Sequence, residues 1–152
     1  MQNSTSKVRV LTGTAMLGAV AAVLMYLEFP IPIMPAFVKL DVSELPALIA
    51  SFAYGPVSGI LVCLIKNLIK LPSTSTAAVG ELFNFVMGAL FVGVAGLIYK
   101  RNKTRKGAIA GALLGALVMA VVSVPYNYFI VYPAYVVMYH LPLDAIIGMY
   151  QA

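Results

Sequence analysis

Glu81, Asn84 and Gly88 recur at i, i+3 and i+7. That spacing lays a carboxylate, an amide and a gap along one face of a helix. Ionisable and amide groups inside an apolar segment are costly and as a rule face a bundle interior or a wet cavity. The chemistry they suit is hydrogen bonding to a polar ligand. Lys66 and Lys70 admit two readings, as cavity cations or as long chains snorkelling to the headgroups. Tyr132, Tyr135 and Tyr139 read first as interfacial belt residues. Catalytic arrangements find little support. No G-x-x-x-x-G-K-[ST] loop occurs, so this chain is not expected to hydrolyse nucleotide. His140 has no second His or Cys at ligand spacing and reads as a loop or interface histidine, so no metal site is expected. The single Cys, Cys63, excludes a disulfide framework and reads as a packing residue. An intramembrane enzyme would have to rely on Glu81 with Lys66; no enzymatic activity is expected.

The elements that position these residues follow from composition. Hydrophobic residues make up 62% of the chain and charged residues 10%, and the mean hydropathy is +0.97, so the bilayer is its solvent. Long apolar runs place spans at about 10–28, 79–99 and 107–132, with a further stretch at 44–71. The first span follows Lys7 and Arg9 and ends in "EFPIP" with no small-residue cleavage site, so it reads as uncleaved. A second basic cluster, Lys100, Arg101, Lys103, Arg105 and Lys106, fills the loop 100–106. Both clusters are expected to be cytoplasmic. A basic chain with pI near 9.4 therefore needs no nucleic acid to explain its charge.

That placement requires an even number of spans between the clusters. One helix over 44–71 would give three, and at ~1.5 Å per residue it would measure ~42 Å against a ~30 Å hydrocarbon core. Pro56 disfavours helix at Tyr54 and Gly55. The stretch is therefore read as two short spans, 44–55 and 57–71, joined by a Gly-Pro turn, neither crossing the full core as a regular helix. The loops 29–43 and 71–80 then lie outside and fill the missing depth as backbone lining a cavity. The expected fold is an all-α integral membrane protein, a single domain over 1–152 with five transmembrane helices. Lys39, Asp41, Glu44, Lys66, Asn67, Lys70, Glu81, Asn84, Tyr126, Asn127 and Tyr128 all fall in its external half. Gly107, Gly111 and Gly115, at four-residue spacing, mark a close helix contact, and Ala15 with Ala19 forms a small-xxx-small pair.

"FPIPIMPAFVKLDVSELPALIASFAYGPVSGILVCLIKNLIKL" followed by "VGELFNFVMGALFVG" resembles the substrate-binding S subunits of energy-coupling factor vitamin transporters, most closely the riboflavin-specific type, over about 10–135. The resemblance implies a bacterial plasma-membrane protein with an external vitamin site beneath the first loop. It also implies docking, through Ala15 and Ala19, onto a transmembrane coupling protein driven by two ATPase subunits. The site would draw on the first loop with Phe37, Lys39 and Asp41, on Glu81, Asn84 and Gly88 of the fourth helix, and on Asn127 and Tyr128 of the fifth. Such proteins have six helices where five spans are counted here. The segment 134–150, with His140, Pro142 and Asp144, reads as a poor substitute, so the sequence is taken to lack the sixth.

Ligand chemistry can be read separately. Three lysines (39, 66, 70) balance three carboxylates (41, 44, 81) in the outer half, which suits a neutral, hydrogen-bond-rich molecule. Ile31, Ile33, Met34 and Phe37 can cover a flat ring, while Glu81, Asn84 and Asn127 can satisfy polar atoms. Riboflavin fits, as would another vitamin; a membrane assembly subunit without a ligand is the alternative of a different class. No cofactor is expected beyond the transported ligand.

Overall fold

The computed structural model describes residues 2–27, 29–30, 39–40, 42–73 and 78–139. Helix α1 runs Gln2–Tyr26, α2 Glu44–Tyr54, α3 Pro56–Lys70, α4 Val79–Arg101, α5 Arg105–Tyr126 and α6 Tyr132–Tyr139. Two short strands, β1 Phe29–Pro30 and β2 Lys39–Leu40, pair antiparallel with Phe29 opposite Leu40 and Pro30 opposite Lys39. They pin together the two ends of the first loop.

Among the described residues, four helical stretches are long and apolar enough to cross a membrane: Ser6–Tyr26, Pro56–Ser73, Val79–Arg101 and Arg105–Val131. The second gains its length from a 3-10 turn, Leu71–Ser73, added to α3, so α3 reaches spanning length where the sequence made it short. Helix α2 stays short, at 11 residues. It ends at Gly55, whose φ of 105° and ψ of 165° suit glycine alone, and Pro56 opens α3 at the first helical position, where a missing N–H costs nothing. The 44–71 stretch is thus a helical hairpin.

Helix α3 is central, packing against α1, α2 and α4. Small residues let these helices close up. A Cβ on Gly59 would sit 2.9 Å from the Ala47 carbonyl oxygen, and one on Gly18 3.0 Å from the Ile65 side chain. The core is Ala21, Ala47, Ala50, Val62, Cys63 and Val92, flanked by Leu17, Leu48, Ile60, Phe85 and Phe91. Between α2 and α4, Ser51 Oγ donates to the Val92 carbonyl at 2.7 Å.

Helix α5 lies on α4 through the glycine repeat expected from the sequence. A Cβ on Gly111 would approach the Ala95 carbonyl oxygen to 2.8 Å, and one on Gly115 the Phe91 carbonyl oxygen to 2.6 Å. Thr104 caps α5, its Oγ1 accepting from the Gly107 N–H at 3.0 Å. Past Pro125 the helix widens into a π-helical turn, Asn127–Val131, and continues as α6. The sequence reading ended this span at 132, ahead of Pro133. The helix runs on because Pro133 falls in the first turn of α6, where proline is tolerated, and the widened turn before it takes up the change in hydrogen bonding.

Candidate functional site

The start of α2, the last turns of α3 and the first turns of α4 meet at one end of the bundle. Among the described residues Lys66 is the largest fully buried side chain. Its Nζ donates to Ser43 Oγ and to Glu44 Oε1, both at 2.6 Å. Cys63 Sγ faces Glu44 Oε2 at 3.5 Å. An ammonium group in an apolar interior must be paired and hydrogen-bonded to remain charged, and two oxygens converge on this one.

Gly88 makes room for the pair. A Cβ at that position would stand 2.6 Å from Glu44 Oε1, so the gap on the α4 face is occupied by a carboxylate from α2. Next along α3, Asn67 Nδ2 donates to the Cys63 carbonyl at 2.8 Å and lies 3.4 Å from Asn84 Oδ1. Asn67 Oδ1 is buried with no hydrogen-bond partner, an unsatisfied acceptor on an amide that lies beside Asn84. Glu81 is buried at 7% exposure. Lys70 Nζ lies 3.3 Å from the Met25 carbonyl and is attracted by Glu81. At the rim, Tyr26 Oη reaches the Ile69 carbonyl at 3.4 Å and Ser73 Oγ at 3.3 Å.

Two ammonium groups, Lys66 and Lys70, thus face two carboxylates, Glu44 and Glu81, among the described residues. The cluster is close to electroneutral and rich in amides. It can hydrogen-bond an uncharged polar molecule without burying a net charge.

Of the residues picked out from the sequence, Glu81, Asn84 and Gly88 come together here. Lys39 belongs to β2, a few residues ahead of Ser43, while Phe37 and Asp41 lie outside the described residues, as do Ile31, Ile33, Met34 and His140. Asn127 is half-buried at the start of the π turn, and its Nδ2 donates to the Ser123 carbonyl of its own helix at 3.0 Å. Tyr128 is not brought to the cluster. It is 62% exposed, edge-on to Phe129 at 5.2 Å, on the outer face of the helix. Its neighbour Tyr126 supplies the inward contact, stacking obliquely on Phe83 at 5.5 Å. Ala15 and Ala19 both lie exposed on α1.

Sequence reasoning put Glu44, Lys66 and Asn67 in the external half without naming them as site residues, read Cys63 as packing and did not single out Ser43. A signal was present in "IKNL", a lysine and an amide adjacent in an apolar helix, but pairing Lys66 with Glu44 requires the hairpin geometry.

A family model described as "ECF transporter, substrate-specific component" matches residues 9–152. The riboflavin transporter RibU of Staphylococcus aureus (strain TCH60) is 39% identical over 127 residues, covering 84% of this chain and 67% of that protein. The riboflavin transporter FmnP of Bacillus subtilis (strain 168) is 37% identical over 139 residues, 90% of this chain and 73% of the relative. A solved structure, reported under "Structure and mechanism of the S component of a bacterial ECF transporter", superposes with a TM-score of 0.79 at 37% identity, over 98% of this chain and 85% of that one. A short α2 hinged at Gly55–Pro56, a central α3 carrying paired polar groups and this family match converge: the chain belongs to the substrate-specific components of ECF transporters, as a multi-pass membrane protein.

Proposed function

We propose that this chain captures riboflavin at the end of the bundle formed by Ser43, Glu44, Lys66, Asn67, Glu81 and Asn84, and passes it on within an energy-coupling factor transporter. The observation that carries the reading is the buried, unpartnered Asn67 Oδ1 beside Asn84, in a cluster whose charges cancel. A flavin has no net charge and many donors and acceptors, and its flat ring needs apolar cover. The relatives named as riboflavin transporters support that ligand over another vitamin.

In this reading the Glu44–Lys66 pair stays intact and keeps the floor of the site rigid, while the two amides select the ligand by hydrogen bonds. The first loop, with Phe37, Lys39 and Asp41, covers the ligand; the β1–β2 ladder holds its two ends above the floor. Asn127 and Tyr128 join the site only with a rotation of the π turn. The site faces outside, with the N-terminus and the loop 100–106 in the cytoplasm. Ala15 and Ala19 present the face on which a transmembrane coupling protein, driven by two ATPase subunits, docks.

Purification in detergent followed by an absorption scan tests the ligand. A visible flavin spectrum that returns on adding riboflavin to stripped protein is expected. Stabilisation by a different vitamin, with none by riboflavin, would reassign the substrate, and no response to any vitamin would favour an assembly subunit.

A further inference from the structure

At the opposite end of the bundle, between the Gly55–Pro56 turn and the C-terminus of α4, lies a cleft of about 330 Å³. Ser51 and Gly96 form its floor, Phe52 and Tyr54 one wall, and Lys100 and Lys103 its rim. The Ser51 hydroxyl is already committed to the Val92 carbonyl, so the charged donors available are the two exposed ammonium groups, with the Tyr54 hydroxyl beside them.

Nothing in the described protein neutralises them. Both described carboxylates, Glu44 and Glu81, belong to the first turns of α2 and α4, whereas the cleft is built from the last turns of the same helices. Glu81 is some ~28 Å of helix away from Lys100. Arg101, Arg105 and Lys106 add to the same uncompensated field. The cleft sits where the spans end, next to the Phe52–Tyr99 ring pair with centroids 4.7 Å apart, at the depth aromatic residues take at headgroups. On the adjoining face of α4, Val94, Leu97 and Ile98 line an apolar depression of about 270 Å³ that ends at Arg101.

We propose that this cleft binds the phosphate headgroup of an anionic phospholipid, held by Lys100 and Lys103, with an acyl chain along Val94, Leu97 and Ile98. A phosphate there accepts charge-assisted hydrogen bonds from both lysines, and basic pockets at helix ends are the usual place for such headgroups. The apolar depression gives the lipid an advantage over a soluble anion.

The test uses the full chain in detergent, titrated separately with dioleoylphosphatidylglycerol, dioleoylphosphatidylcholine and inorganic phosphate, with melting temperature and native mass spectrometry as readouts. Phosphatidylglycerol is expected to raise the melting temperature and to remain bound as a one-to-one adduct, with little effect from the other two. K100Q/K103Q should require about tenfold more phosphatidylglycerol for the same shift, whereas R105Q/K106Q, which weakens only the surrounding field, should require a much smaller increase. Should K100Q/K103Q fold poorly, Ala53→Leu narrows the mouth with every charge kept and should also weaken the adduct. Equal protection by inorganic phosphate would overturn the lipid assignment. Equal losses in K100Q/K103Q and R105Q/K106Q would reduce the effect to a diffuse basic surface. An unchanged lipid response in K100Q/K103Q, with assembly onto the coupling protein lost, would give the cleft to a protein partner instead.

Discussion

Lys66 sits in the bundle interior on terms set by two neighbours, Ser43 and Glu44. Removing one member of a buried ion pair leaves the other charged without a partner, so Glu44→Gln or Lys66→Met should each destabilise the protein by about 3–5 kcal/mol. The double variant, which strands no charge, should recover much of that loss. Unfolding measured across the four proteins closes the cycle, and additive losses would deny the coupling. In the proposed site Asn84 faces the ligand. Asn84→Leu should weaken riboflavin binding by about 1–3 kcal/mol, measured by flavin fluorescence quenching, while Cys63→Ala should leave it unchanged. Binding that survives Asn84→Leu would move the pocket elsewhere. At this scale the sequence was half legible. Glu81 and Asn84 could be read because carboxylate and amide recur on one helical face. Lys66 could not, because a lysine near the end of an apolar helix satisfies snorkelling and burial equally until the facing helix is known.

Two backbone features hold the elements in place. Gly55 adopts a conformation that a Cβ excludes, so Gly55→Ala should cost about 1–3 kcal/mol even though open space surrounds it. Gly115 is the converse, ordinary helix pressed against a carbonyl; Gly115→Val should force α5 off α4 at a cost of about 1–3 kcal/mol. Thermal unfolding of both variants in detergent checks the pair, and a neutral Gly115→Val would mean that α5 is loosely held. The hairpin was legible because proline after glycine is a local signal and spanning length is simple geometry. The continuation past Pro133 was not, since a π turn changes the hydrogen-bond register with no residue type of its own to mark it.

For the whole molecule, the separation between the polar cluster and α1's outer face makes a clear expectation. Replacing Ala15 and Ala19 with Leu should leave flavin binding by the isolated protein intact and abolish co-purification with the coupling protein, because close helix approach in lipid depends on small side chains. Lost binding with retained partners would make that face internal packing. Orientation is tested in a Cys63→Ala background: a cysteine at Asn102 should react with impermeant thiol reagents from the cytoplasmic side only, and one at Ser73 only from outside. Labelling of both from one side would refute the parity of spans.

The central position of α3 has a consequence for biosynthesis. The extensive helix contacts all join elements no more than two apart in the chain: α1 with α2 and α3, α2 with α3 and α4, α3 with α4, α4 with α5. A ribosome can therefore release the bundle from its N-terminus, each helix finding its neighbours already in the bilayer. Ser43 and Glu44 emerge before Lys66, so the counter-ion is waiting when the lysine leaves the translocon, and the most costly side chain of the bundle need never face lipid alone.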